Sequence, residues 1–162
     1  MKIFLIRHAE AIDNETDTVK DDEYRFITPN GRSVTREIAK TLKQELKDLD
    51  KIYTSPLIRA VQTAEIIATI LKFKNEVELV NELKNESSTA SLQQLINNNP
   101  SLNSLALVGH EPKISNLVKI FSDKKDLTEF RKSSVCLIDF DLARQEGKFI
   151  WYFDSKQIGF VK

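Results

Sequence analysis

The chain has 162 residues, 41% of them apolar and 30% charged, which suits a single folded domain over 1–162 and excludes a disordered chain. Lys plus Arg equals Asp plus Glu at 24 each, so no nucleic-acid partner and no polybasic membrane surface is expected, and no apolar run approaches the roughly 20 residues of a membrane span. No secretory signal is expected, and the single cysteine, Cys136, excludes an internal disulfide and a cysteine zinc cluster; the composition predicts a cytoplasmic monomer with Cys136 as a buried, inert thiol.

In chain order, Ile3-Phe4-Leu5-Ile6 is a short unbroken apolar run and reads as a buried strand that leads directly into Arg7 and His8. Residues 12–27 show no period and hold six acids (Asp13, Glu15, Asp17, Asp21, Asp22, Glu23) against Lys20 and Arg25. They read as a long loop folding over the mouth of a site, the alternative being a solvated connection. Thr28-Pro29 opens a helix by a capping residue followed by proline, with Val34, Ile38, Leu42, Leu46 and Leu49 as its apolar stripe. Residues 50–54 form a second strand. Ser55-Pro56 repeats the cap-plus-proline pattern and starts a helix running to Leu71. A third strand is expected over 76–80, a loop over 81–90, a short helix over 91–97 and a fourth strand over 105–108, ending in Gly109-His110. A helix over 112–121 and two antiparallel strands, 134–141 and 148–154, complete the chain. Strands alternating with helices define an α/β fold. The expected architecture is a three-layer sandwich: a largely parallel central sheet of about six strands, helices on both faces, and an antiparallel edge.

The only two histidines, His8 and His110, each follow an apolar strand, and ligands of open α/β sheets bind at the carboxyl ends of strands. Arg59 falls in the first turn or so of the helix after the second strand, at the same edge. A cation there is opposed by the helix dipole, so it is expected to hold an anion; pairing with Glu65 or a loop acid is the alternative. Two guanidinium groups match the three oxygens of a phosphoryl dianion. A neutral imidazole can attack phosphorus to give a phosphohistidine that water hydrolyses. The arginines are expected to lower the histidine pKa and keep the nucleophile neutral. No metal and no cofactor is required, and two histidines beside two arginines make a poor cation site.

Four ordered segments carry a family resemblance: Leu5-Ile6-Arg7-His8-Ala9-Glu10-Ala11; Ile27-Thr28-Pro29-Asn30-Gly31; Ser-Pro-x-x-Arg-Ala-x-Gln-Thr-Ala over 55–64; and Val-Gly-His-x-Pro over 108–112. The chain resembles the histidine phosphatase, or phosphoglycerate-mutase-like, superfamily, and most of all its small phosphohistidine phosphatase (SixA) branch. The resemblance implies that His8 is the nucleophile, that Arg7, Arg59 and His110 bind phosphate, and that Asn14 contacts it too. Glu82 falls near the place where larger members keep a proton donor, with Glu86 a weaker substitute and an ordinary loop acid the alternative. Ala9 departs from the usual glycine after the histidine. The short span between Glu82 and the fourth strand lacks the helical insertion that covers small substrates in larger members, which implies an open pocket. An open pocket suits phosphohistidine on a protein. A small-molecule phosphomonoesterase on the same site, and a non-catalytic phosphate- or phosphoprotein-binding module, are the alternatives.

Overall fold

The structure, a computed structural model, describes residues 1–13, 19–127 and 129–161. In chain order its elements are β1 (Lys2–Arg7), α1 (Pro29–Thr41), α2 (Lys43–Leu46), β2 (Lys51–Thr54), α3 (Ile58–Leu71), β3 (Val77–Leu79), α4 (Thr89–Asn97), β4 (Ser104–Gly109), α5 (Lys113–Phe121), β5 (Val135–Asp141), β6 (Glu146–Asp154) and β7 (Gly159–Val161), with 3-10 turns at Asp22–Tyr24 and Asn81–Leu83.

The four central residues of β1 are apolar because both faces of the strand are covered there. Ile3 and Leu5 point into one core, Phe4 and Ile6 into the other, and none of the four is more than 1% exposed. The same parity divides β4: Leu105 and Leu107 join the first core, Ala106 and Val108 the second. Buried residues of α4 and α5 (Leu92, Ile96, Ile114, Leu117, Phe121) fill the first core, and those of α1, α2 and α3 (Ile38, Leu46, Ala60, Ala64, Ile67) the second. The expected α/β sandwich is thus present, with helices on both faces of one sheet.

The sheet order is β3-β2-β4-β1-β5-β6-β7. β3, β2, β4 and β1 pair parallel, whereas β5, β6 and β7 add on antiparallel. β7 is the strand beyond the six expected. Its three residues are too short to show an alternating pattern, and they follow Ile158, which turns the chain with a positive φ of 47°. The antiparallel portion is therefore larger than a two-strand edge. The helix expected to begin at Ser55-Pro56 begins instead at Ile58, capped by no side chain; the Ser55 hydroxyl has another partner, described below. Thr28 does cap α1, accepting from the Gly31 N–H at 2.9 Å. Cys136 is fully buried, and burial pushes its thiol up to about 12, as an inert core cysteine requires. Among the described residues no helix is long and apolar enough to cross a membrane.

The connection leaving β1 runs through the α1–α3 layer, and the one leaving β4 runs through α5 on the opposite face. The crevice between the carboxyl ends of these two adjacent strands is therefore the point where helices part to opposite sides, the usual place for a ligand in such sheets.

Candidate active site

β1 and β4 run parallel in a register that sets Arg7 beside Gly109. His8 and His110 consequently leave the sheet side by side, and the His8 N–H donates to the Gly109 carbonyl at 2.9 Å. Their rings lie 5.0 Å apart between centroids. His8 Nδ1 stands 2.7 Å from the Ala9 carbonyl. A carbonyl only accepts, so Nδ1 carries the hydrogen and Nε2 keeps its lone pair. His110 Nε2 is 2.8 Å from Ser55 Oγ at the end of β2. With the hydroxyl donating there, the ring hydrogen of His110 sits on Nδ1.

Both imidazoles are held neutral. Burial pushes His8 down to about 3; the Ala9 hydrogen bond opposes this, and His110, Arg59 and Arg7 lower it further. Burial likewise lowers His110 to about 4, helped by Arg59 and Arg7 and opposed by Asp22. The arginines act in the expected direction, but loss of water is the larger cause. Burial also lowers the pKa of Arg7.

Arg59 lies in the first turn of α3 and is 6% exposed. Its Nη1 donates to the Asp22 carbonyl and its Nη2 to Asp22 Oδ2, each at 2.7 Å. The pairing with a loop acid is therefore real, and that acid is Asp22. Arg7 donates from Nη1 to the Phe130 carbonyl at 2.7 Å. Among the described residues, the buried side-chain nitrogens and oxygens without a hydrogen-bond partner are Arg7 Nε, Arg59 Nε and His110 Nδ1. An unpaired buried donor costs about 1–3 kcal/mol, so the two Nε groups, with His110 Nδ1 as a third in the tautomer given above, mark this cluster as the candidate site.

The remaining motif residues hold this arrangement in place. The Ala9 N–H donates to Thr63 Oγ1 at 3.0 Å, and the Thr63 hydroxyl donates to the Arg59 carbonyl at 2.6 Å, tying the turn after His8 to α3. Gln62 Oε1 accepts from the Ile27 N–H at 2.8 Å. The Thr28 hydroxyl donates to Glu10 Oε1 at 2.6 Å, and this bond holds the Glu10 carboxyl below its ordinary value. Gly31 is required because a Cβ there would fall 2.4 Å from the Glu10 carbonyl oxygen.

Arg7, His8, Arg59 and His110 thus meet at one edge of the sheet. Glu82 sits in the turn after β3, the edge strand, and its charge acts on Lys113 and Tyr53; this turn abuts the end of β4, where a Cβ on Gly109 would lie 3.7 Å from the Leu83 carbonyl oxygen. Glu86 also acts on Lys113. Asn14 lies outside the described residues. Sequence reasoning missed Asp22 and the contact of Ser55 with His110; the serine's place in the 55–64 motif was the available signal for the second. Beside Arg7 a groove of about 410 Å³ opens, lined by Glu10, Asn30, Arg131, Lys132 and Lys156 among others.

A sheet of mixed direction whose parallel strand ends gather two neutral imidazoles, the buried guanidinium of Arg59 and the half-buried one of Arg7 defines an α/β protein with a candidate oxyanion site. The chain belongs to the histidine phosphatase superfamily (branch 1), whose model matches residues 3–87. It is 27% identical to the phosphohistidine phosphatase SixA of Escherichia coli (strain K12), over 100% of this chain and 99% of that protein. Its fold is similar to the structure of the protein histidine phosphatase SixA complexed with tungstate, at a TM-score of 0.87 and 23% identity, covering 98% of this chain and 100% of the other. It is also similar to a phosphoserine phosphatase (H9A variant) of Entamoeba histolytica in complex with phosphoserine, at a TM-score of 0.68 and 19% identity, covering 98% and 99%. The two structural likenesses speak to the fold.

Proposed function

We propose that this chain is a phosphatase that moves a phosphoryl group from a phosphohistidine on a protein to His8 and then to water, with no metal or cofactor. One observation carries the reading: the orphaned buried donors belong to Arg7, Arg59 and His110, which surround His8. His8 Nε2 attacks phosphorus while Nδ1 donates to the Ala9 carbonyl. The new N–P bond forms as the substrate's P–N bond breaks, and the departing imidazole takes a proton from solvent. Water then attacks the phosphohistidine, breaking the N–P bond; orthophosphate leaves and His8 returns neutral. Arg7, Arg59 and the Nδ1–H of His110 neutralise charge on the equatorial oxygens.

Several features support a protein substrate. The full-length similarity is to a phosphohistidine phosphatase. Only α4 intervenes between the turn at Asn81–Leu83 and β4, and the groove beside Arg7 leaves room for a partner's surface. A P–N bond breaks readily once the imidazole is protonated, so this reaction asks little of Glu82 as a proton donor. One domain, working as a cytoplasmic monomer, fits this reading.

The test is to incubate the chain with a protein labelled on phosphohistidine, quench in alkali and map the label. The expected result is label on His8, no turnover by His8→Ala, and retained phosphate binding by that variant. Label on any other residue, faster turnover of sugar or nucleotide phosphates than of the phosphoprotein, or unimpaired turnover by His8→Ala would overturn it.

A further inference from the structure

A guanidinium presents two edges to an oxyanion: an end-on edge across Nη1 and Nη2, and a side-on edge across Nε and Nη2. Asp22 takes the whole end-on edge of Arg59, its backbone carbonyl accepting from Nη1 and its Oδ2 from Nη2, both at 2.7 Å. The other carboxylate oxygen accepts from Arg25 Nη1 at 3.0 Å, and Arg25 is itself anchored by its Nε donating to the Ile12 carbonyl at 2.6 Å. The side-on edge of Arg59 is left with Nε buried and unpartnered. Arg7 shows half of the same pattern: Nη1 donates to a backbone carbonyl and Nε is unpartnered. The two arginines differ in that a carboxylate holds Arg59. That carboxylate also makes itself felt at His110, where its charge opposes those of Arg59 and Arg7.

Resting on the reading that Arg7, His8, Arg59 and His110 hold a phosphoryl group, we propose that Asp22 is a positioning residue. It turns the Nε edge of Arg59 toward the phosphoryl oxygens, and its negative charge keeps the site's affinity for inorganic phosphate low, so that product is released. A site with two uncompensated guanidinium groups would hold orthophosphate, the reaction's own product, most tightly. Asp22 offsets one of those charges without occupying the edge the substrate needs. A unit charge on the order of 6 Å from the anion changes affinity by well over tenfold at an effective dielectric of about 20. The Asp22 side chain is 48% exposed, and solvent screening brings the expected change to about tenfold.

The experiment compares the full chain with Asp22→Asn, Asp22→Ala and Asp22→Glu. Inorganic phosphate binding is measured by calorimetry, and kcat and KM on a phosphohistidine protein. Asn keeps an acceptor for Nη2 and loses the charge, so phosphate should bind about tenfold tighter and kcat/KM should not fall, because the substrate's phosphoryl group gains the same attraction. Ala loses charge and acceptor, so kcat/KM should fall by about tenfold or more below that of Asn; this rescue by Asn is the mark of positioning. Glu keeps the charge and should keep the weak phosphate affinity. Unchanged phosphate affinity in Asp22→Asn, or equal kcat/KM in the Ala and Asn variants, overturns the inference. A wild type that binds phosphate but turns nothing over ends the hydrolysis reading and leaves the affinity comparison to decide Asp22. Absence of phosphate binding in the wild type and every variant overturns the role of Asp22 itself.

Discussion

Lowering the pH from 8 to 5 should destabilise this protein through two residues alone. Its only histidines, His8 and His110, are both buried, and burial holds them at about 3 and about 4 in the folded state, against about 6.5 in an unfolded chain. A group whose folded pKa is depressed contributes stability that is complete above its unfolded pKa and is lost as pH falls toward its folded pKa. At pH 5 the unfolded chain has gained a proton at each imidazole and the native chain essentially none. Each histidine then costs about 1.5 pH units at 1.36 kcal/mol, or about 2 kcal/mol. The pair costs about 4 kcal/mol, or about 2 if the native site relaxes to admit water, against the roughly 5–15 kcal/mol stability of a typical domain. The carboxyls held low in the fold, Glu10 and Asp22 among them, act in the same direction but only at lower pH. Urea unfolding at pH 8, 7, 6 and 5 reads the loss as a midpoint that falls by about 1–2 M, taking a urea dependence of about 2 kcal/mol per molar. The double variant His8→Asn, His110→Asn should lose this slope between pH 7 and 5. A wild-type midpoint that stays level over that range, or a double variant with the wild-type slope, would refute the claim that these imidazoles are folded in as neutral groups.

Ser55→Ala leaves His110 Nε2 without its 2.8 Å partner and the ring free to change tautomer, so kcat/KM should fall by about tenfold with modest loss of stability; an unchanged rate would show that the serine does not orient the ring. Gly31→Ala drives a methyl to 2.4 Å from the Glu10 carbonyl and should cost about 1–3 kcal/mol in urea unfolding, with a wild-type midpoint contradicting the close approach. Glu82→Gln should change phosphohistidine turnover by less than about twofold while lowering any activity on alkyl phosphates by up to about 100-fold. A large loss on phosphohistidine would show that this reaction too needs Glu82 as a proton donor.

Much of the site was legible because it lies on strand ends. A buried strand must be apolar, so a charged or imidazole residue immediately beyond it stands out, and a parallel sheet sends successive strand ends to one rim; this made Arg7, His8 and His110 readable. Arg59 was readable from its place in a helix's first turn, where a cation needs a reason to be. Asp22 was not readable, since six acids in an aperiodic stretch look alike until the chain's path brings one of them to Arg59. Ser55 misled by satisfying a local rule: it sits where a capping residue belongs, but the tertiary partner His110 claims its hydroxyl and the helix starts three residues later, at Ile58. That burial outweighs the arginines was also beyond local reading, because the depth of an imidazole is a property of the folded chain and not of its neighbours in sequence.

The way Arg7 and Arg59 are anchored limits what else could occupy their positions. Arg7 is fastened to the scaffold through one terminal nitrogen and Arg59 through both, and each leaves Nε without a partner. Lysine has a single ammonium on a flexible stem, and the donor that moors it is the same atom that would greet the guest. Exchanging either arginine for lysine would preserve the formal charge and still force one nitrogen to serve two masters, so the rigid aim of the side chain, rather than its sign, would be the property lost.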